Sequence, residues 1–452
     1  MTDLIPRKKL AILVGGGPAP GINSVIGSAT IEAVNSGLDV VGLYDGFRWI
    51  ASGEFCPDKH AVSLAIADVA RIHFTGGSIL RTSRTSLLDA ASLKSSPVVM
   101  PDVPKIERVI ANLRSLGVSY LITIGGDDTA LSARFVSERS DGMLRVVHVP
   151  KTIDNDLPLP GDINTFGFSS ARYLGTQIVK NLMADSLTTG RWYLVTAMGR
   201  NAGWLALGIA KSAGATACLI PEEFAEKTTI ACLADVIEGA MLKRRVMGRP
   251  DGVVIVAEGL TYRLGDVAEI ERLSGRPIEL DSAGHPRLAD VPLGDMLKRE
   301  LEIRHKVRGE KITIVTHTLG YELRSADPTP ADIAYCRDLG YGAIRMLLDT
   351  RGMIMHGAMV SIVGGNLVPM DFQTMVDPAT NRTRVRMVNI NSLSYRVARA
   401  YQIRLELSDL ETPEMLEKLA EVAKLSPEEF KARYTRAATR RSDPRPVTEA
   451  SS

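Results

Sequence analysis

Short apolar runs that end in glycine or proline alternate with helical periodicity along almost the whole chain, and this alternation limits the possible folds most sharply. Leu10–Val14 runs into Gly15-Gly16-Gly17, after which Ile22, Val25, Ile26, Ala29, Ala33 and Val34 repeat at the period of a helix. Val40–Leu43, Tyr120–Ile124, Val146–Val149, Tyr193–Ala197, Thr216–Ile220, Val253–Ala257, Ile312–Thr316 and Met359–Val363 read as further strands. Pro104–Leu116, a segment from Thr129, Ser169–Leu187, Trp204–Ala213 and Ala331–Leu348 read as helices. Near-continuous apolar strands, each followed by a helix, belong to parallel sheets covered on both faces. About nine of them predict two three-layer α/β domains with mainly parallel sheets and an active-site cleft between.

The expected boundaries follow from composition. Residues 1–165 form one α/β domain, completed by about 320–395, with the seam near Asp162–Phe166. Residues 166–319 form a second, with a polar, loop-rich insertion at about 264–308. Residues 396–438 are a helical extension and 439–452 a frayed tail.

Charge and cysteine content remove several function classes. Lys plus Arg number 54 and Asp plus Glu 52, a net charge of +2 without a basic block, so no nucleic-acid partner is expected. The 4 cysteines form no C-x-x-C pair, which argues against a disulfide framework or zinc site and suits a reducing cytoplasm. Gly203–Pro221 is apolar but contains Lys211 and divides into a helix and a strand, so no membrane span is expected.

Ligands of parallel sheets bind beyond the C-terminal ends of the strands, and the residues there are unusual. Gly15-Gly16-Gly17-Pro18-Ala19-Pro20-Gly21 is either a phosphate loop or a tight turn. In Gly125-Gly126-Asp127-Asp128-Thr129 the two carboxylates either cap a helix or hold Mg2+. Pro150-Lys151-Thr152-Ile153-Asp154-Asn155-Asp156 is the densest cluster. It is either a solvated loop or a site with Asp154 as general base, Asp156 on a metal and Lys151 on a phosphate. Met198-Gly199-Arg200-Asn201, Glu258 and Gly320-Tyr321-Glu322-Leu323-Arg324 follow other apolar runs, and Arg84 lies in Gly76-Gly77-Ser78-Ile79-Leu80-Arg81-Thr82-Ser83-Arg84. Each arginine alone reads more simply as a salt-bridged surface residue. Jointly they describe a cleft with two anionic ends, suited to phosphoryl transfer onto a phosphorylated substrate.

The motifs GGGPAPGIN, GGDDT, PKTIDND, MGRNAGW and LGYELR, in this order, resemble the phosphofructokinase family over about residues 9 to 400. The resemblance implies that Asp154 is the base for the sugar 1-hydroxyl. It implies a fructose 6-phosphate site of Thr152, Asp154, Met198, Gly199, Arg200, Glu258, Tyr321 and Arg324, Tyr321 standing where shorter bacterial relatives often have histidine. Arg191 resembles an arginine lent by a neighbouring subunit, hence a homodimer or larger homo-oligomer. A second such arginine has no counterpart, because Val315 takes its place, and Arg308 and Lys311 are the candidates to replace it. Asp127 and Asp156 resemble metal-associated carboxylates for Mg2+, and Gly16 and Arg84 phosphoryl-donor contacts.

The donor is legible at two positions. ATP-using members of this family usually read GGDG and PGTIDND, whereas this chain has Asp128 and Lys151 there. A carboxylate at 128 adds bulk and repulsion where an α-phosphate would lie. Like charges at 4 Å repel by about 4 kcal/mol at an effective dielectric of 20. Lys151 adds charge for a donor with no adenosine to anchor it. The pair resembles the pyrophosphate-dependent branch, so Asp128 and Lys151 join Asp154 as expected catalytic and donor-binding residues. The implied reaction is reversible, Mg2+-dependent transfer from pyrophosphate to fructose 6-phosphate, within glycolysis or gluconeogenesis. The alternatives are an ATP-dependent 6-phosphofructokinase and, more remotely, a non-catalytic regulatory subunit of the same fold.

Overall fold

In the computed structural model the described residues are 7–96, 98–161, 163–264, 267–279, 291–349 and 357–438. Asp162 at the expected seam, residues 265–266 and 280–290 of the expected insertion, and the tail 439–452 lie outside them.

The strands are β1 (Lys9–Val14), β2 (Asp39–Leu43), β3 (Ala61–Ser63), β4 (Val118–Gly125), β5 (Arg145–Thr152), β6 (Phe166–Gly167), β7 (Trp192–Ala197), β8 (Ala217–Leu219), β9 (Gly252–Ala257), β10 (Ile314–Leu319), β11 (Ala358–Val363) and β12 (Asn366–Asp371). The helices used below are α1 (Ile22–Asn35), α2 (Val103–Ser115), α3 (Asp127–Arg139), α4 (Phe168–Thr189), α5 (Trp204–Ala213), α6 (Ile230–Val246), α7 (Leu293–Val307), α8 (Tyr321–Arg324), α9 (Pro330–Leu348), α10 (Pro413–Ala423) and α11 (Pro427–Ala438).

The chain divides into two compact units, the first mainly Met1–Leu174 and Tyr321–Arg386, the second mainly Gly175–Ile278, Arg287–Gly320 and Met387–Ser452. The first carries a sheet in the order β12-β11-β5-β4-β1-β2-β3, with β6 paired to β5. Its inner strands are parallel, and short antiparallel partners, β3 and β12, close the two edges. Side chains of β1 alternate between two cores. Leu10, Ile12 and Val14 pack with α1 and α9 on one face, and Ala11 and Leu13 with α2 and α3 on the other. Burial on both faces is why these strands read as unbroken apolar runs.

The second unit carries a parallel sheet in the order β10-β7-β9-β8. The fold is therefore the mixed α/β class with mainly parallel sheets that the alternation predicts. β10 runs two to three residues later than expected, pairing Ile314 with Trp192 through Leu319 with Ala197. Its Thr316-His317-Thr318 run is polar because this is an edge strand with half-exposed residues. In the stretch expected to be a polar insertion, α7 buries Leu293, Met296, Leu297 and Leu301. Arg299 faces solvent, but the arginines at the C-terminal end look polar in sequence and turn inward. Arg304 and Arg308 of the α7 end, with Arg433 of α11, donate to the fully buried Glu238 of α6. Burial works to raise the Glu238 pKa, yet the three guanidiniums hold it below the ordinary carboxylate value.

Candidate active site

In the first unit three strand ends meet around one loop. Gly15 N–H donates to Ile124 O and Gly16 N–H to Ser83 O, both at 2.8 Å, so the loop after β1 is tied to β4 and to the segment before Arg84. Gly16 has φ +80°, a left-handed backbone that glycine adopts without strain. The Thr82 hydroxyl donates to Gly16 O at 2.6 Å. The buried Lys151 ammonium, at the end of β5, donates to Gly17 O. It also lies 3.4 Å from where a Gly16 side chain would begin. The Arg324 guanidinium of α8 approaches the same loop, 3.3 Å from where a Gly17 side chain would begin, and lies over the Tyr321 ring at 5.4 Å. Helix α3 opens from Gly126 with no side-chain cap, leaving Asp127 and Asp128 half-buried in its first turn. The two carboxylates therefore do not act as the N-cap.

The segment after β5 is held by backbone-directed bonds. Asp154 N–H donates to the Thr152 hydroxyl at 3.0 Å, and the Thr165 hydroxyl donates to Thr152 O at 2.7 Å. Asn155 takes φ +57°, which Asn tolerates, and its amide bonds Asn164 and Thr165. Arg386 clamps the turn, donating to Asn155 O at 3.0 and 3.1 Å and to Ile163 O at 2.6 Å, while its N–H donates to Asp156 O. Against this ordered backbone, Asp154 Oδ1 is buried with no hydrogen-bond partner. That is an acceptor kept open at a cost of about 1–3 kcal/mol.

Two supporting residues of this unit were not expected from sequence. Arg386 is one. The other is His148, fully buried inside β5, which donates Nε2–H to Gly125 O at 3.0 Å and accepts the Thr123 hydroxyl at Nδ1 at 2.8 Å. Burial drives its pKa down to about 3 despite the Gly125 bond, so the ring is neutral and fixes the carbonyl that precedes Gly126.

In the second unit the residues after β7 form a tight reverse. Gly199 has φ +148°, and a Cβ there would sit 2.9 Å from Ala202 O. Its N–H donates to Oε1 of the buried Glu258 at 2.9 Å, joining the ends of β7 and β9. Buried Met198 donates N–H to Leu319 O at 2.9 Å. Glu222, a further residue that the motifs do not mark, accepts Gly203 N–H at 3.0 Å and Val388 N–H at 2.8 Å beneath this loop. A cavity of about 390 Å³ beside the loop is lined by Asn201, Gly259, Lys227 and Arg263 among others. Arg191 lies elsewhere. It precedes the first residue of β7, whereas Met198 follows the last, a span of about 23 Å at about 3.3 Å per residue. Its guanidinium is 3.8 Å from Asp185. Arg308 is committed to Glu238.

A family model described as phosphofructokinase matches residues 9–347. The chain belongs to the phosphofructokinase family. It is 54% identical, over 94% of its length and 98% of the relative's, to a protein of Thermotoga maritima named pyrophosphate–fructose 6-phosphate 1-phosphotransferase. A protein of the same name from Naegleria fowleri is 43% identical over 93% of this chain and 94% of its own. The similarity also reaches ATP-dependent 6-phosphofructokinase 2 of Clostridium perfringens, 34% identical over 67% of this chain and 78% of that protein. Among solved structures, a pyrophosphate-dependent phosphofructokinase from Marinobacter aquaeolei superposes with a TM-score of 0.62 at 18% identity, covering 92% of this chain and 91% of that one. That likeness concerns the fold. Among the described residues no helix is long and apolar enough to cross a membrane.

The phosphofructokinase motifs fall where strand-end reasoning put them. Gly16, Lys151, Arg324 and the loop carrying Asp154 belong to the first unit, and Met198, Gly199 and Glu258 to the second. Among the described residues no three acidic, histidine or cysteine side chains converge as a ready metal cage. Mg2+ takes one or two carboxylates and completes its shell with substrate oxygens and water, so Asp127 and Asp156 suit it, and the open Asp154 Oδ1 shows that this region leaves acceptors for a ligand.

Proposed function

We propose that this phosphofructokinase transfers a phosphoryl group reversibly from pyrophosphate to the 1-hydroxyl of fructose 6-phosphate, giving fructose 1,6-bisphosphate and phosphate. The observation that carries the reading is the Lys151 ammonium seated on the Gly15–Gly17 loop, in a chain with a second carboxylate, Asp128, in the first turn of α3. The 54% and 43% identical relatives carry the pyrophosphate name over nearly their full lengths.

Asp154 accepts the proton of the sugar 1-hydroxyl as that oxygen bonds to phosphorus and the bridging P–O bond breaks, releasing phosphate. Its Oδ1 has no competing donor to displace. Lys151 and Arg84 counter the charge of the transferring group, and the Gly16 backbone lets the diphosphate approach closely. Asp128 disfavours a donor with further phosphates. Asp127 and Asp156 would hold Mg2+, which when bound would supply charge neutralisation for the transferring group.

The sugar phosphate is taken by Thr152, Met198, Gly199, Arg200, Glu258, Tyr321 and Arg324. Arg191 serves the site of a neighbouring subunit, so the working form is at least a homodimer. Its place at the far end of β7 from Gly199 supports that reading.

Initial rates with fructose 6-phosphate and Mg2+, supplying pyrophosphate or ATP to wild type and Asp128→Gly, test the donor. Turnover with pyrophosphate alone, and some ATP use gained by the variant, is expected. Wild-type turnover with ATP alone would overturn the donor assignment and leave the family intact.

A further inference from the structure

Strand order decides which way a donor must extend. Lys151 lies at the end of β5 and Asp154 follows it, Asp127 and Asp128 follow β4, Gly15–Gly17 follow β1, and β2 is the next strand outward. Neighbouring strands lie about 4.8 Å apart. A group attached to a diphosphate on the side away from Asp154 therefore runs over the end of β2, where Tyr44 and Asp45 follow Leu43. Gly46 confirms the closeness, since a Cβ there would stand 2.5 Å from Val14 O and 3.4 Å from Ser83 Oγ, beside the loop itself. A half-buried aromatic face next to a phosphate loop is a natural platform for a nucleobase.

Here that face is covered. The Arg81 guanidinium lies over the Tyr44 ring, 5.2 Å from its centroid. Its Nη1 is 3.7 Å from Asp45 Oδ2. The Trp49 indole N–H donates to the same oxygen at 2.8 Å, and Trp49 stacks flat on His60 with centroids 4.4 Å apart. Asp45 is thus held by Trp49, and Arg81, whose side chain is 69% exposed, lies within ion-pair reach of it. The backbone of Arg81 is held too, in a left-handed conformation at φ +55°. The next two residues clasp the loop, Thr82 through Gly16 O and Ser83 through Gly16 N–H.

We propose that Arg81 is a specificity residue for the phosphoryl donor: by covering Tyr44 it closes the surface on which the base of a nucleotide would stack, and leaves the phosphate loop open to bare diphosphate. This filter has meaning only if pyrophosphate is the donor, and so rests on that reading. It is separate from Asp128, which acts on the phosphates rather than on the base.

The test measures inhibition by ATP, and by tripolyphosphate as a probe without a base, against pyrophosphate in the forward reaction. Wild type, Arg81→Gly and Arg81→Gly/Tyr44→Leu are compared. Glycine accepts the left-handed backbone, so the single variant keeps its main chain. In Arg81→Gly the ATP inhibition constant is expected to fall by about tenfold, the scale of one base-stacking contact. Tripolyphosphate inhibition and the kcat and KM for pyrophosphate should stay within about threefold of wild type, and Tyr44→Leu should abolish the gain. Unchanged ATP inhibition, equal tightening toward tripolyphosphate, or a large rise in the pyrophosphate KM would each overturn the role given to Arg81. Wild-type turnover with ATP but not pyrophosphate would instead remove the donor reading, and the filter with it.

Discussion

A carboxylate oxygen buried without a partner works against folding, and Asp154 Oδ1 is one. Its neighbours explain how the fold tolerates it. Thr152, Asn155, Thr165 and Arg386 satisfy the surrounding backbone, so the turn is rigid while one acceptor stays vacant. If that acceptor is the base, Asp154→Ser should lower kcat by about 10²- to 10⁴-fold. The KM for fructose 6-phosphate should change by no more than about threefold, since binding is left to other groups. Steady-state kinetics decide it, and near-normal kcat in the variant would end the assignment. Asp154 and Lys151 were legible in the sequence because charged residues directly after an apolar run sit at a strand end, where ligands bind. Arg386 was not. Its partners are mostly main-chain carbonyls more than 200 positions away, and a carbonyl leaves no mark on side-chain chemistry.

At the scale of elements, boundaries were clearest where punctuation and burial agreed. α5 runs from Trp204 to Ala213 as expected because Gly203 and a left-handed Gly214 bracket it. α6 escaped notice because it is buried on most sides and shows little periodicity, and α7 because Arg304 and the following Arg308 serve a buried carboxylate rather than solvent. His148 is a related case. Within an apolar strand it joins β5 to β4, and it carries a testable consequence. Its folded pKa of about 3 lies below the usual 6.5, so below pH 6.5 the unfolded chain binds a proton that the native state refuses. Stability is then full above pH 6.5 and falls on acidification toward pH 3, at up to about 1.4 kcal/mol per pH unit from this group. Burial lowers His305 as well, adding to the same trend. Denaturant midpoints between pH 7.5 and 5 should therefore decline, and His148→Gln should reduce the slope by about one proton. An unchanged slope would show that His148 is not the titrating group.

For the whole molecule, the decisive matter is whether one chain completes its own site. The alternation of strands and helices made the α/β class readable, but hydrophobic periodicity does not report on a second copy, which only the resemblance at Arg191 implied. The pointer is Arg191, placed at the start of β7 while Gly199 lies past its end. If Arg191 serves the partner's site, two inactive variants should repair one another. In a hybrid dimer of Arg191→Ala with Asp154→Ser, one site lacks both groups. The other combines an intact Asp154 with an intact Arg191 from the opposite chain. Random reassembly gives hybrids in half of the dimers, each with one working site, so roughly a quarter of wild-type activity should return. Mixing the two purified variants under conditions that exchange subunits, then assaying with pyrophosphate and fructose 6-phosphate, measures this directly. Activity no greater than the sum of the parents, with exchange shown by a tag on one chain, would place the action of Arg191 within its own subunit.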